Sequence, residues 1–370
     1  MINVFEPKIT FKDRVEVFKA LKKKNISGTS EEVKLFETSL ATYFERNYAV
    51  AVSNGSVALD LALNLLNLEK DDEVILPSFT IISCLAAVIR GGGKPVFCDV
   101  DSISWSMNLD NVKKVFTEKT KAVLMVHTYG LSAEAEEIEK FCIENKIYLI
   151  EDASEAHGQT YNGRKCGSFG DVSTLSFYAN KNMTSGEGGA LLLNSFDNSQ
   201  KLKKMRNLDF DNSNRFKHKH LYWNYRLSGL QASLGRSQLN NLELNIKYKI
   251  KQAKIYDKLF FDYKELVQIP QSNYLNVTNH YWVYGIILQK DDIRDKIIEK
   301  LYEKGIETRP FFFPLHLQEI ENLEMINYVK LPITEIISKN GLYIPTGNHI
   351  NIKKQKFIVK TIIELLSEQY

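Results

Sequence analysis

Short apolar runs alternate with stretches of helical periodicity between residues 48 and 194. The runs that predict strands lie at 48–52, 73–76, 95–99, 121–127, 147–151, 173–177 and 189–193. The stretches that predict helices between them lie at 57–66, 82–90 and 133–145. Apolar strands that alternate with helices are typical of a parallel sheet covered by helices on both faces. We therefore predict an α/β core.

A second, smaller unit is predicted after this core. The chain of 370 residues is long enough for two or three domains, and its 44% hydrophobic and 25% charged residues are ordinary for a globular protein. A long helical pattern from about 230 to 259 precedes a predicted strand at 280–288, helices at 293–304 and 353–366, and the segment 307–314. We place the boundary near residue 245, which predicts domains at 1–245 and 246–370.

The sequence disfavours several classes of protein. Its longest apolar stretches, such as 81–89, are far shorter than the roughly 20 residues of a membrane-spanning helix, and residues 1–10 lack the apolar core of a secretory signal. A net charge of +3 and one short basic run at 22–24 do not suggest nucleic-acid binding. The four cysteines form no CxxC pair, so we expect reduced structural thiols. We expect a cytoplasmic protein that binds neither membranes nor nucleic acid.

A Ser-Asn-Gly-Ser turn at 53–56 joins the first predicted strand to the first predicted helix. The start of a helix carries unpaired backbone N–H groups and the positive end of the helix dipole, so it can hold a phosphate. Gly55 allows close approach, and Ser56 adds a hydroxyl donor. Alternatively, the turn only caps a structural helix. It matches neither a P-loop nor a GxGxxG motif.

Two further residues suggest chemistry. Asp152 follows an apolar strand at the edge of the sheet where α/β proteins bind ligands, although an aspartate there can also be a simple cap. Lys181 follows another apolar strand and precedes a glycine-rich turn, which suggests an interior amine suited to Schiff-base chemistry, although a surface lysine is the default. A phosphate cup, a strand-end carboxylate and a buried lysine are together what pyridoxal phosphate requires.

Six segments carry a resemblance to a known family. They are Ser53–Leu59, Val126–Gly130, Glu151–Gly158, Ser176–Gly189, Asn224–Arg226 and Glu307–Pro314. In this order they resemble the DegT/DnrJ/EryC1/StrS family of sugar aminotransferases, over essentially the whole chain. The resemblance implies an aspartate-aminotransferase-like fold (pyridoxal-phosphate fold type I). Such a fold has a large α/β domain, with a mostly parallel seven-stranded sheet flanked by helices, and a small C-terminal α+β domain.

The resemblance also implies roles for individual residues. Lys181 would form the Schiff base with pyridoxal phosphate, Asp152 would face the pyridine nitrogen, and Glu155 would lie near the ring hydroxyl. Gly55, Ser56 and Ser176 match phosphate-binding positions. Asn224 matches an asparagine that reaches the cofactor phosphate of the neighbouring subunit, which implies a homodimer with shared active sites. Arg309, Phe311 and His316 match a stretch near the substrate cleft.

One position departs from the family pattern. The family commonly has an aromatic residue that stacks on the pyridoxal ring where this chain has Ile81, and Phe79 is the nearest aromatic residue in the sequence. An aliphatic side chain lacks the aromatic π contact. We expect looser retention of the cofactor rather than loss of function.

Within the family, the chain looks most like the branch that makes the 4-amino sugar GDP-perosamine. This resemblance implies transfer of the amino group of L-glutamate to a GDP-linked 4-keto-6-deoxy sugar for surface polysaccharide such as O-antigen. The alternatives are a 3-aminotransferase for a dTDP- or UDP-linked keto sugar, a sugar dehydratase of the same fold, and a regulatory protein without activity. The dehydratase has histidine in place of the lysine, so Lys181 disfavours it.

Other polar and aromatic residues have plain interpretations. His218 and His220 form an HxH pair without a nearby third ligand, so no metal site is predicted. His127 and His157 lie in motif segments and either line the cleft or are structural. The aromatic pair 281–282 and the run 311–313 are either core or a platform for a base or sugar.

Overall fold

The computed structural model describes residues 1–210, 216–321 and 329–369. Its α-helices are α1 (Phe11–Lys22), α2 (Glu31–Tyr43), α3 (Gly55–Leu65), α4 (Ile82–Arg90), α5 (Leu109–Val115), α6 (Ala135–Asn145), α7 (Phe196–Met205), α8 (Gly229–Leu239), α9 (Leu242–Phe260), α10 (Arg294–Glu303), α11 (Pro332–Asn340) and α12 (Ile352–Ser367). Its strands are β1 (Tyr48–Val52), β2 (Glu73–Pro77), β3 (Lys94–Cys98), β4 (Thr120–Val126), β5 (Tyr148–Asp152), β6 (Thr160–Tyr161), β7 (Arg164–Lys165), β8 (Val172–Ser176), β9 (Gly189–Leu193), β10 (Val267–Gln268), β11 (Asn273–Tyr274), β12 (Val277–Thr278), β13 (Tyr284–Leu288), β14 (Arg309–Pro310) and β15 (Gly341–Ile344).

Seven strands form the central sheet in the order β1-β9-β8-β5-β4-β2-β3. The pairs β2/β3, β2/β4, β4/β5 and β5/β8 are parallel, and β9 runs antiparallel to both of its neighbours. The carboxyl ends of the parallel strands therefore meet at one edge. This topology confirms the predicted α/β fold with a mostly parallel seven-stranded sheet.

Helices cover both faces of the sheet because its strands carry apolar side chains on both sides. One face packs against α3, α4 and α7 around residues such as Leu61 and Leu191. The other packs against α2 and α8 around Phe36 and Leu175, and against α5 and α6 around Ile138. Each fully buried side chain of this size contributes about 1.5–3 kcal/mol. The buried faces hold the sheet rigid beneath the ends of its strands.

A second, antiparallel sheet has the order β10-β13-β15-β14 and packs against α9, α10 and α12. The first residues of the chain join this unit, because Ile2 pairs with Ile306 and the backbone N–H of Val4 donates to Glu307 at 3.0 Å. Aromatic side chains from the edge of the large sheet and from the second unit, including Phe79, Tyr129 and Phe311, pack between the two sheets. The division into 1–245 and 246–370 stays a prediction.

Two sequence predictions of element bounds are corrected. The long helix expected over 230–259 is two helices, α8 and α9, because the chain turns at Asn240 and Asn241. The strand expected over 280–288 begins only at Tyr284, since Tyr281 has a φ of 52°, which an extended strand cannot accommodate. At both places the hydrophobic pattern of the sequence continues, but the regular backbone conformation is interrupted.

No helix within the described ranges has both the length and the apolar character needed to cross a membrane.

Candidate active site

A cavity of about 480 Å³ lies at the carboxyl ends of β4, β5 and β8, beside the start of α3. This is the edge at which open α/β sheets bind ligands, and the volume suits a small organic molecule. The lining includes six residues that the sequence singled out: Gly55, Ser56, Asp152, Glu155, Ser176 and Lys181. Residues more than 100 positions apart in the chain therefore meet in one place.

The start of α3 forms one wall of the cavity. Asn54 is the N-cap, and its side chain accepts a hydrogen bond from the backbone N–H of Val57 at 2.9 Å. The first N–H groups of a helix have no partner within the helix, so those of Gly55 and Ser56 are suited to an anion. A Cβ atom on Gly55 would lie 2.6 Å from the Cβ of Ser176. Only glycine fits this close approach, which places the Ser176 hydroxyl beside the helix start.

Asp152 ends β5 at the floor of the cavity and is 4% exposed. Its Oδ1 accepts hydrogen bonds from the backbone N–H of Ser154 at 3.0 Å and the hydroxyl of Thr174 at 3.3 Å, and Cys84 Sγ lies 3.6 Å from Oδ2. In the described part of the chain, no lysine or arginine forms an ion pair with Asp152. A buried carboxylate whose hydrogen-bond partners are all neutral favours a positively charged group in the cavity.

Lys181 and Glu155 form a buried ion pair, with 3.2 Å between Nζ and Oε1. The other oxygen of Glu155 accepts from the backbone N–H of Tyr129 at 3.2 Å. Burial raises the pKa of Glu155, and the nearby Lys181 charge opposes this rise. Burial, followed by the charge of Lys181, lowers the pKa of His157 to about 3, so this histidine is neutral.

Aromatic side chains form the wall opposite β5. They come from Trp282, Phe312 and Tyr343, and Tyr178 and Ile81 lie nearer the opening. Sequence reasoning left Trp282 and the run 311–313 open between core and platform, and it missed Tyr343 and Tyr178. The density of aromatic residues at 281–284 and 311–313 is a signal for Trp282 and Phe312, but no such cluster marks Tyr343 or Tyr178.

Four predicted residues do not line this cavity. Asn224 is exposed on the surface, Arg309 is exposed and pairs with Glu307 at 2.6 Å, and His316 is buried with its Nδ1 2.6 Å from the hydroxyl of Ser78. Phe311 is 3% exposed, and its ring is close to the backbone of Gly285 and Gly341. The Phe311 ring belongs to the core and the next residue, Phe312, lines the cavity, so a place for Phe311 near the substrate cleft stays a prediction.

His127, one of the two histidines near the motifs, is a structural residue in this fold. His127 Nε2 lies 2.8 Å from Glu151, whose carboxylate also accepts from the backbone N–H of Phe169 at 2.9 Å. The ligand atoms of His127, Glu151 and Cys166 lie within 4.8 Å of one another, and hydrogen bonds occupy them. This network supports β4 and β5 below the cavity. His220 pairs with Asp209 at 3.1 Å on the surface.

The residues of the cavity fit pyridoxal phosphate. The start of α3 with Ser56 and Ser176 is a cradle for a phosphate, the buried Asp152 calls for a cationic ring nitrogen, and Lys181 offers an amine within the same volume. The cavity therefore offers a suitable partner for each of three parts of the cofactor: its phosphate, its ring nitrogen and its aldehyde.

The fold and this cavity define an aminotransferase of the pyridoxal-phosphate type. The chain matches the DegT/DnrJ/EryC1/StrS aminotransferase family over residues 7–363, and it belongs to that family, as the motifs predicted. It is 35% identical over 352 residues to the GDP-perosamine synthase of Vibrio cholerae, covering 94% of each chain. It is 32% identical over 368 residues to the GDP-perosamine synthase of Escherichia coli O157:H7, covering 100% of this chain and 99% of that one. The solved structure of an aminotransferase from Streptoalloteichus hindustanus has a TM-score of 0.92, 26% identity and complete coverage of both chains.

Proposed function

We propose that this protein transfers the amino group of L-glutamate to a GDP-linked 4-keto-6-deoxy sugar, giving a 4-amino sugar of the GDP-perosamine type. The observation that carries the proposal is the meeting of Lys181, Asp152 and the start of α3 in one cavity. The choice of a GDP-linked sugar is supported by the two GDP-perosamine synthases, which match along almost the whole chain. A GDP-linked 4-amino sugar is a building block for surface polysaccharide, and we propose that the enzyme makes it in the cytoplasm.

The cofactor is held at three points in this proposal. The backbone N–H groups of Gly55 and Ser56, with the hydroxyls of Ser56 and Ser176, would bind the phosphate. Asp152 would keep a proton on the ring nitrogen of the bound cofactor, and Glu155 would serve the ring hydroxyl. Pyridoxal phosphate, when bound, supplies a carbonyl carbon for exchange of amines and a ring that withdraws electrons.

Lys181 is the base of the proposed reaction. Its Nζ takes a proton from the α-carbon of the amino donor and holds that proton until a later step of the reaction, when it is given back. Glu155, 3.2 Å away, pairs with the ammonium form of Lys181, so the charge that appears on the lysine has a partner in place. The aromatic wall opposite Asp152 excludes water from this step.

We propose that the working enzyme is a homodimer with shared sites. Asn224 is exposed and lies outside the cavity of its own chain, which agrees with a role in the cavity of a partner subunit. Nearby, Leu221 is 100% exposed, and the rings of His220, Tyr222, Trp223 and Tyr225 form a stacked series. An exposed apolar segment of this kind is suited to an interface.

The test of the proposed function is the absorption spectrum of the protein with pyridoxal phosphate, before and after L-glutamate. We expect a visible band from the lysine adduct that moves to the near-ultraviolet when glutamate is added. Lys181→Ala should lack the lysine band, whereas the matched variant Lys140→Ala should behave as the wild type, because Lys140 lies on the surface beside Glu144. A wild-type protein that shows no band, or no response to glutamate or other amino donors, would overturn the proposal.

The sugar is tested separately with a panel of keto sugars linked to GDP, dTDP and UDP. The proposal expects amination of the GDP-linked 4-keto sugar with the highest kcat/KM. Preference for a dTDP- or UDP-linked 3-keto sugar would replace the proposed substrate and leave the aminotransferase assignment intact.

A further inference from the structure

The indole ring of Trp282 lies against the amine of Lys181. The Nζ of Lys181 is 3.8 Å from the centre of the ring, and Glu155 is on the amine at 3.2 Å. The Lys181 side chain is 11% exposed, and Trp282 is 4% exposed. A cation over an aromatic face within about 6 Å is attracted by the ring, and the attraction grows when water is excluded.

The ring is fixed from two sides. Its Nε1–H donates to the backbone oxygen of Asn180, the residue before Lys181, at 3.0 Å. The half-buried Lys249 donates through Nζ to the backbone oxygen of Trp282 at 2.6 Å. Phe5 stacks on the same indole, with 6.4 Å between ring centres. These contacts hold the ring where the amine of Lys181 meets it.

We propose that Trp282 is a further catalytic residue, whose face binds the ammonium form of Lys181 alongside Glu155 once that amine has taken up a proton. The inference rests on the proposed role of Lys181 in aminotransfer. Its consequence is that the lysine, after it has taken the proton, stays oriented in the cavity instead of turning towards solvent.

The surrounding charges explain why an uncharged ring is useful there. The titratable groups that face Lys181 are Glu155, His157 and Lys249, with Asp152 and Tyr343 farther along the cavity. Burial, followed by the charge of Lys181, lowers the pKa of Lys249 to about 7, and Glu155 is the carboxylate in contact with the Lys181 amine. A second carboxylate would repel Glu155, whereas the indole face attracts the ammonium and adds no charge.

The experiment uses the cofactor-free protein, so that it does not depend on turnover. The reaction of Lys181 with trinitrobenzenesulfonate is followed across pH by mass spectrometry of the peptide that contains it. The variants are Trp282→Leu, which removes the ring, and Trp282→Phe, which keeps a smaller face. Trp105→Leu is the matched control, because Trp105 is a buried tryptophan of the same aromatic cluster with no contact to Lys181.

The expected result is a lower pH midpoint for the reaction of Lys181 in Trp282→Leu, equivalent to about a 2- to 30-fold larger fraction of neutral amine below the midpoint. Trp282→Phe should give a smaller shift, and Trp105→Leu none. Greater access alone would raise the rate on the high-pH plateau without moving the midpoint. The inference is overturned if the midpoint of Trp282→Leu equals that of the wild type, or if Trp105→Leu shifts it as much.

This outcome is separable from that of the proposed function. A wild-type protein whose absorption spectrum does not respond to amino donors refutes aminotransfer, whatever the pH midpoint of the Lys181 reaction. A protein that responds to glutamate, with midpoints unchanged in the Trp282 variants, refutes only the role of Trp282 and leaves it a structural residue.

Discussion

Ile81 stands at the rim of the cavity, at the N-cap of α4, and is 41% exposed. The aromatic residue that the family commonly has there is not replaced by Phe79, because Phe79 is fully buried against Tyr129 and Phe311. Ile81→Tyr should therefore bind pyridoxal phosphate about 2- to 12-fold more tightly, the size of one added aromatic contact. The dissociation constant, measured by titrating cofactor-free protein, checks this.

Ile82 provides the matched control for Ile81, because it is the next residue, is 40% exposed and does not line the cavity. Ile82→Tyr should leave the affinity for the cofactor unchanged. Equal affinity of Ile81→Tyr and the wild type would mean that the aliphatic side chain already makes the full contact.

Single residues differ in how well the sequence reveals them. Lys181 and Asp152 were predictable, because each follows an apolar strand and the edge of a parallel sheet is where such residues meet. Trp282 and Tyr343 were not, because their segments carry no chemical motif and reach the cavity only through the packing of the second sheet. The local pattern also does not reveal that Phe312, rather than Phe311, lines the cavity.

At the scale of elements, the start of α3 depends on a glycine whose absent side chain leaves room for Ser176. Gly55→Ala places a Cβ atom 2.6 Å from Ser176 Cβ, so either the helix start or β8 must shift. Strain of this kind costs about 1–3 kcal/mol, and we expect about a 5- to 160-fold weaker affinity for pyridoxal phosphate. Titration of the purified variant with the cofactor measures this loss.

Gly229 is the control for Gly55, because it is also the first residue of its helix, α8, and is even more crowded. A Cβ atom there would lie 2.1 Å from the backbone oxygen of Asn25. Gly229→Ala should lower the free energy of unfolding and leave cofactor affinity of the folded protein unchanged. A loss of affinity in both variants would trace the effect to general destabilisation.

The ends of every strand in the large sheet were predictable to within one residue, because strands buried on both faces appear in the sequence as continuous apolar runs. The second unit was less so. Its strands β14 and β15 and helix α11 are short, and their placement depends on pairing with distant segments. The break between α8 and α9 was missed because leucines continue through a pair of asparagines that favour a turn.

At the scale of the whole molecule, shared active sites predict complementation between two defective chains. Lys181→Ala and Asn224→Ala should each have low activity alone at limiting cofactor. In a mixed dimer, one site would combine an intact Lys181 with an intact Asn224 from the partner. Co-expressed in equal amounts, the two chains should recover about a quarter of wild-type activity.

The comparison for this test is co-expression of Lys181→Ala with Asp152→Ala, since both lesions would fall in the cavity of their own chain. Each cavity of that mixed dimer would carry one of the two lesions, so this pair should restore no intact site. Failure of the Asn224 pair to recover activity, while dimers form by sedimentation, would place Asn224 in the cavity of its own subunit or outside the reaction.

The pairing of Ile2 with Ile306 has a consequence for how the protein is made. Chains leave the ribosome from their first residue onward, so the opening segment is exposed long before its partner exists. The large sheet can assemble in that interval, since its strands all precede residue 194, whereas the second sheet must wait until residue 344 has been made. During synthesis, the aromatic wall of the cavity is therefore among the last surfaces to form.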